Sequence, residues 1–145
     1  MATDYIWVQG KCKWARVFLE NMDKKYGEKF SLILYPTDKS IASLNNAGFR
    51  GEFKRDGDGI FVKLSRDNKR EFGEEIRLLG PPELTDKDGK PFDQFIGNGS
   101  EVAVLLELYD SKKGKGSRMK EVKVLNHVIF EKANEARELP PFEGE

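Results

Sequence analysis

Aromatic and cationic side chains alternate along one predicted strand near the middle of the chain. In the run from Ile60 to Arg66, Phe61 and Lys63 are predicted to face outward. Ile60, Val62 and Leu64 are predicted to face inward. A ring on a sheet surface can stack on a nucleobase, and a neighbouring ammonium group can pair with a phosphate. Such stacking contributes about 1–3 kcal/mol per base. The pattern is therefore typical of a surface that binds a single-stranded nucleic acid.

Further rings and cations are predicted to lie beside this strand. Phe61 is assigned as the main stacking ring, with Trp7, Phe53 or Tyr109 as additional stacking candidates, and the basic 110–118 loop is expected to close over a bound strand. Trp14, Phe30 and Phe130 are instead assigned to the core. The predicted nucleic-acid-binding residues are Trp7, Lys11, Lys13, Phe53, Lys54, Arg55, Phe61, Lys63, Arg66, Tyr109, Lys112, Lys113, Lys115 and Arg118.

Catalytic chemistry finds little support in the sequence. Cys12 is predicted to share a face with core residues and so to be buried. His127 lies in an apolar strand context and is expected to have a packing or polar-surface role. No phosphate-binding glycine loop is present. The remaining alternative is a metal-dependent nuclease that uses four turn carboxylates: Asp56, Asp58, Asp86 and Asp88. Since neither turn has a complete metal-binding loop, the sequence predicts a protein that is not an enzyme, with no metal and no cofactor.

Length and composition indicate one water-soluble domain. The chain has 145 residues, 34% of them charged, and a mean hydropathy of −0.63. No stretch approaches the roughly 20 apolar residues that span a bilayer, and residues 1–10 lack the layout of a signal peptide. The single cysteine excludes an intramolecular disulfide and fits a reducing compartment. The expected location is the cytoplasm, without a membrane partner.

Charge is distributed unevenly along the chain. The whole chain has 25 bases and 25 acids, but residues 131–145 carry five acids against two bases. The body therefore has a net charge of +3. This division predicts a nucleic-acid-binding domain at 1–130 and a flexible acidic tail at 131–145, which competes for the basic surface or binds protein partners.

Residue periodicity predicts many short strands and one or two short helices. Alternating or apolar runs indicate strands at 5–18, 30–35, 101–110 and 119–130. Residues 53–65 are predicted to form a hairpin that turns at 56–59. A short helix is predicted after Pro36, capped by Thr37 or Asp38 and ended by Gly48. The stretch 67–80 is charged, with Phe72, Ile76, Leu78 and Leu79 as its apolar anchors. The predicted fold class is all-β, an OB-fold with a five-stranded Greek-key barrel.

Short motifs in this order resemble a known family. They are the stretches 10–18 (GKCKWARVF), 29–35 (KFSLILY), 95–100 (FIGNGS) and 122–125 (VKVL). Together they are similar to the phage-encoded single-stranded DNA-binding proteins of the OB-fold type, including the podovirus T7-like group. The resemblance extends from about Val8 to Phe130. It implies a barrel that coats single-stranded DNA during phage replication, recombination or repair in the cytoplasm of the host bacterium.

The resemblance also gives the acidic tail a role. In this family such a tail engages replication enzymes such as DNA polymerase and helicase, and T7-like members end in an aromatic residue. The corresponding residues here are Glu135, Glu138, Phe142, Glu143 and Glu145. Because three residues follow Phe142, the partner role and a homodimer formed by tail exchange stay open. The competing interpretation is a small β-barrel that binds proteins, such as a virion or assembly factor without nucleic-acid affinity.

Overall fold

Ten regular elements make up the protein in its computed structural model, which describes residues 3–18, 22, 28–111 and 114–128. They are β1 (Thr3–Arg16), β2 (Lys29–Pro36), α1 (Asp38–Asn46), β3 (Phe53–Asp56), β4 (Gly59–Asp67), β5 (Lys69–Phe72), β6 (Glu75–Leu78), β7 (Glu83–Asp86), β8 (Glu101–Ser111) and β9 (Gly114–Asn126). Across these described ranges, no helix has the length and apolar character required to cross a bilayer.

One curled sheet carries most of the structure. Its strand order is β3-β4-β2-β1-β8-β9-β7, while β5 and β6 pair separately. The far sides approach each other where Arg66 of β4 donates to the Met119 carbonyl of β9 at 3.3 Å. The all-β OB class predicted from the sequence is confirmed. The predicted strand number is wrong, because short β3 and β7 extend the sheet beyond its five long strands.

The core follows from strict alternation along the long strands. Val8 and Cys12 of β1 are fully buried, as are Val102 and Val104 of the neighbouring β8. Phe30, the first inward-facing residue of β2, is also fully buried, as predicted. Residues two apart in a strand share a face. The inner faces of β1, β2, β4, β8 and β9 therefore form one hydrophobic cluster.

A bulge near the end of β1 changes which side chains point inward. The pairing register with β2 shifts between Lys13 and Arg16, and Trp14 adopts a φ of 52°, rare for a residue with a side chain. The Trp14 N–H donates to Asn98 Oδ1 at 2.8 Å. After the bulge, Ala15 and Val17 are the buried residues. The predicted core position of Trp14 is wrong: its side chain is half-buried and lies outside the hydrophobic cluster.

Gly10 lies where β1 changes partners, pairing with Val102 of β8 and Pro36 of β2. A Cβ atom at this position would lie 2.0 Å from the Tyr35 carbonyl oxygen, far below van der Waals contact. Only glycine lets the two strands approach this closely. Gly10 is therefore a point of tight strand packing.

Local signals place the helix and the β3–β4 hairpin as predicted. The Thr37 side chain accepts a hydrogen bond from the Ser40 N–H at 3.2 Å, which caps α1. The hairpin turns at residues 56–59, where the Asp58 N–H donates to Asp56 Oδ1 at 2.8 Å. A similar turn follows β7, since the Asp88 N–H donates to Asp86 Oδ1 at 2.8 Å.

The structure also differs from the predictions for the apolar anchors of 67–80 and for the basic loop at 110–118. The stretch 67–80 contains the β5–β6 hairpin. Ile76 and Leu78 on this hairpin are 63% and 71% exposed, so they do not contribute to the hydrophobic core. In the predicted 110–118 loop, the residues that the structure describes belong to strands, because β8 runs to Ser111 and β9 starts at Gly114. Backbone pairing across this tip joins Asp110 to Lys115 and Ser111 to Gly114. Strand pairing therefore continues into a segment whose basic, glycine-containing composition predicted a flexible loop.

Candidate nucleic-acid interface

The outer face of β1 carries two exposed rings followed by two cations. Because side chains alternate, Tyr5, Trp7, Gln9, Lys11 and Lys13 lie in one line, which we term the β1 outer row. Tyr5 is 50% exposed and Trp7 is 47% exposed. Successive members are about 7 Å apart along the strand. This spacing suits successive units of an extended polymer.

Lysines from β9 reach over both rings. Lys120 Nζ lies 4.7 Å from the centroid of the Tyr5 ring, and Lys123 Nζ lies 5.6 Å from that of Trp7. The register between β8 and β9 shifts between Leu105 and Leu106, which leaves Lys120 as the extra residue of a bulge. Each ring therefore has an ammonium group beside it.

The sequence interpretation missed three of these residues. Alternation from the buried Val8 already places Tyr5 on the same face as Trp7, so Tyr5 could have been found from the sequence. Lys120 and Lys123 could not, since their approach to β1 depends on the β9 bulge and on the intervening strand β8.

Four exposed or half-buried lysines, which we term the lysine face, continue the surface beyond the rings. Lys11 and Lys13 extend the β1 outer row, Lys63 lies on β4 and Lys54 on β3. Lys13 and Lys63 are the register partners of Ile33 from its two sides. Pairing thus brings together four of the predicted phosphate-binding residues on the outer face of adjacent strands.

The predicted exposure of Phe61, on which its assignment as a stacking ring depended, is wrong. Its side chain is only 5% exposed, although alternation does place it on the outer face with Lys63. The ring packs against Tyr35, with centroids 5.6 Å apart at 49°, and the long Lys54 side chain lies opposite it in the register. Paired strands on both sides of β4 thus bring large neighbours over the ring, which becomes part of the support for the lysine face.

Phe53 and Arg55 also lie elsewhere than predicted. Phe53 packs on the hydrophobic cluster and contacts the Phe49 ring edge-to-face at 6.0 Å, so it offers no open stacking surface. Arg55 is exposed, but alternation along β3 directs it to the face opposite Lys54. Because consecutive strand residues point to opposite faces, Lys54 and Arg55 cannot both contact phosphates on the same face.

Arg66 is half-buried, and its guanidinium links three parts of the chain. Its guanidinium donates to three backbone carbonyls: Gly80 at 2.9 Å, Leu79 at 3.0 Å and Met119 at 3.3 Å. Burial and the nearby positive charge of Arg118 lower its pKa, with Glu107 opposing the shift. The predicted position of Arg66 in the outward row with Lys63 is wrong, because alternation puts it in the inward row with Val62 and Leu64.

Tyr109 and Arg118 contact each other near the tip of the β8–β9 hairpin. The Arg118 guanidinium lies 4.6 Å from the Tyr109 ring centroid, and its Nε is 3.5 Å from Glu107 Oε2. Gly116 lies against the same ring, where a Cβ atom would be 2.5 Å from a ring carbon. Both predicted residues are therefore packed in the free protein. Lys112 and Lys113 lie outside the described residues, as does the side chain of Lys115.

Two turn carboxylates lie within the lysine face. Asp58 Oδ2 is 2.6 Å from Lys13 Nζ, and the Tyr35 hydroxyl donates to Asp56 Oδ2 at 2.5 Å. Burial alone raises the pKa of Asp56. The hydrogen bonds from Tyr35 and the backbone, together with the charge of Lys13, outweigh it and bring that pKa below its ordinary value. Asp56 is thus held as an anion that fixes the Tyr35 ring.

The two side chains considered for catalysis, Cys12 and His127, both pack against other residues. Cys12 is fully buried in the core, as predicted. His127 packs edge-to-face on Phe92 at 4.9 Å and its Nε2 lies 3.1 Å from the Phe95 carbonyl oxygen, in agreement with a packing role. Within the part of the chain that the structure describes, no three His, Cys, Asp or Glu side chains are grouped to hold a metal ion.

Solved structures share this fold. No protein-family model and no curated protein sequence matches the chain. Gp2.5, a single-stranded DNA-binding protein encoded by bacteriophage T7, superposes with a TM-score of 0.58 at 17% identity, covering 97% of both chains. The single-stranded DNA-binding protein of bacteriophage Enc34, in complex with single-stranded DNA, gives 0.55 at 11% identity, covering 86% of this chain and 87% of that one.

A second structure of the Enc34 protein agrees. Its TM-score is 0.51 at 13% identity, covering 94% of this chain and 90% of that one. Sequence identities this low leave the fold as the shared property. The family resemblance predicted from the sequence motifs is therefore confirmed at the level of fold. The chain has the fold of the phage-encoded single-stranded DNA-binding proteins.

Proposed function

We propose that the protein binds single-stranded DNA without chemical turnover. The observation that carries this proposal is the β1 outer row, in which exposed Tyr5 and Trp7 are followed on the same strand by Lys11 and Lys13. Single-stranded DNA offers base faces and phosphates in regular alternation, and rings with neighbouring cations are the groups that bind both. A surface for a folded protein would instead need a continuous apolar patch.

Bases stack on Tyr5 and Trp7, while phosphates follow the lysine face toward β4 and β3. Lys120 and Lys123 hold the rings in place and can move from ring to phosphate when a base arrives. The main role of the buried Phe61 is to support Tyr35 from below. Because any base has a stacking face, we expect slight sequence preference.

Structural neighbours support the same ligand and suggest its biological setting. The T7 and Enc34 proteins are described as single-stranded DNA-binding proteins, and one Enc34 structure is a complex with single-stranded DNA. By analogy, the protein coats and protects single-stranded DNA during phage replication, recombination or repair. Its place of action in this proposal is the cytoplasm of the host bacterium.

Residues 131–145 are proposed as an acidic tail that follows the DNA-binding domain of residues 1–130. Five acids and Phe142 give it the composition to bind replication proteins such as DNA polymerase or helicase. The tail lies outside the described residues, so its role rests on composition and on the family resemblance. Homodimer formation through this segment belongs to the same proposal.

Titration with oligo(dT) and with a matched duplex tests the proposed function. We expect tighter binding to oligo(dT), because duplex bases stay stacked on each other and cannot reach Tyr5 or Trp7. If the lysine face displaces the counterions bound to three or four phosphates, log K should fall with log salt at a slope of about −2.1 to −2.8. Trp7 fluorescence should be quenched on binding. Equal affinity for both DNA forms, or binding that salt does not weaken, would contradict the proposal.

A further inference from the structure

The β3–β4 turn places a carboxylate on one member of the lysine face. Asp58 Oδ2 lies 2.6 Å from Lys13 Nζ, and the same ammonium group lies 5.7 Å from the centroid of the Tyr35 ring. The Lys13 side chain is 25% exposed, whereas that of Asp58 is 63% exposed. The carboxylate that pairs with this cation is thus the more exposed of the two groups.

Asp58 can leave this position without disturbing the core. It lies in a turn between Gly57 and Gly59, and its own backbone N–H is held by Asp56 Oδ1 at 2.8 Å. Its side chain is therefore placed by the turn while remaining largely in solvent. Exposed ion pairs of this kind are weak, and a phosphate can exchange with the carboxylate.

We propose that Lys13, over the Tyr35 ring, is a subsite for a DNA backbone phosphate, and that the Asp58 carboxylate occupies this subsite in the free protein. The inference rests on the proposed function. A carboxylate oxygen at hydrogen-bond distance from an ammonium group stands where a phosphate oxygen would bind. Binding of DNA then exchanges one anion for another at Lys13, which lowers both the affinity and its salt dependence.

A matched turn elsewhere in the chain provides a control. Asp86 and Asp88 repeat the geometry of Asp56 and Asp58, with the same 2.8 Å bond from the second N–H to the first carboxylate. Asp88 is exposed on the turn that follows β7. Asp58→Asn and Asp88→Asn each remove one negative charge from an Asp-X-Asp-Gly turn, but only the first removes the anion beside Lys13.

Equilibrium titration of the full chain with fluorescein-labelled oligo(dT) tests the subsite. We expect Asp58→Asn to tighten binding about two- to five-fold at low salt. The slope of log K against log salt should steepen by up to about 0.7, the contribution of one phosphate of a single strand. Asp88→Asn should bind like the parent. In a Lys13→Ala background, Asp58→Asn should bring no gain.

The outcomes separate this inference from the proposed function. Failure of the parent to bind oligo(dT) would overturn both. A parent that binds, with Asp58→Asn unchanged, would overturn the subsite alone, as would equal gains for Asp58→Asn and Asp88→Asn, since net charge then explains both. A gain that survives Lys13→Ala would also overturn it. Thermal melting of each variant establishes that the fold is intact.

Discussion

Replacing Tyr5 and Trp7 together with alanine is expected to weaken binding of oligo(dT) by about 2–6 kcal/mol. Each ring is about half exposed and lies on the β1 outer row, where a base can approach its face. The variant removes both stacking contacts and leaves the lysine face in place. Fluorescence anisotropy of a labelled oligonucleotide is the appropriate measurement, because the substitution removes one of the two tryptophans.

The salt dependence of the same variant gives a second readout. Lys11, Lys13, Lys54 and Lys63 remain, so the slope of log K against log salt should stay close to that of the parent. A loss of affinity at constant slope is the signature of lost stacking. If the slope falls together with the affinity, the rings position the phosphate contacts and do not bind bases themselves.

A control of matched exposure is available on the β5–β6 hairpin. Ile76 and Leu78 are 63% and 71% exposed, yet they lie on a separate two-stranded sheet. Replacing both with alanine removes exposed apolar surface away from the β1 outer row, and we expect no change in affinity. Equal losses in the two double variants would contradict the assignment of the stacking surface to β1.

The fold could be predicted because its information is local and periodic. The burial of Val8 and Cys12, the capping residue Thr37 and the turn at 56–59 all follow from residue type and spacing. The alternation predicted for β4 was also correct in direction, since Phe61 and Lys63 do lie on the outer face.

The stacking surface could be predicted only in part, because exposure depends on neighbours that the sequence does not place together. Phe61 lies on an outer face and is nevertheless buried, since pairing of β2 with β4 brings Tyr35 against it. Trp7 has a similar pattern in the sequence but a different neighbour, the smaller Leu105 of β8. Alternation fixes the face of a strand residue, whereas tertiary packing fixes its accessibility.

Arg66→Ala is expected to lower the free energy of unfolding by about 2–4 kcal/mol, because it leaves three backbone carbonyls without their charged donor. Those carbonyls belong to Leu79, Gly80 and Met119. Two of them lie at the end of the β5–β6 segment and the third on β9, so one side chain joins three parts of the chain. Urea denaturation followed by circular dichroism measures the effect.

Lys63→Ala is the matched variant, three positions earlier on the same strand. Lys63 is exposed on the outer face, while Arg66 lies in the inward row. We expect Lys63→Ala to leave the unfolding free energy nearly unchanged and to weaken DNA binding with a flatter salt slope. Arg66→Ala, assayed where it remains folded, should bind oligo(dT) with the salt slope of the parent.

These opposite expectations distinguish a structural cation from a ligand-binding cation on a single strand. A guanidinium donates in several directions within one plane, which suits it to hold several carbonyls at once, whereas an ammonium group on a flexible stem suits a mobile phosphate. Arg66→Lys should therefore recover only part of the lost stability despite keeping the charge. If the Arg66→Ala protein is as stable as the parent and has a flatter salt slope, Arg66 binds DNA and does not stabilise the fold. That result would also leave the approach of β4 to β9 dependent on side-chain packing alone.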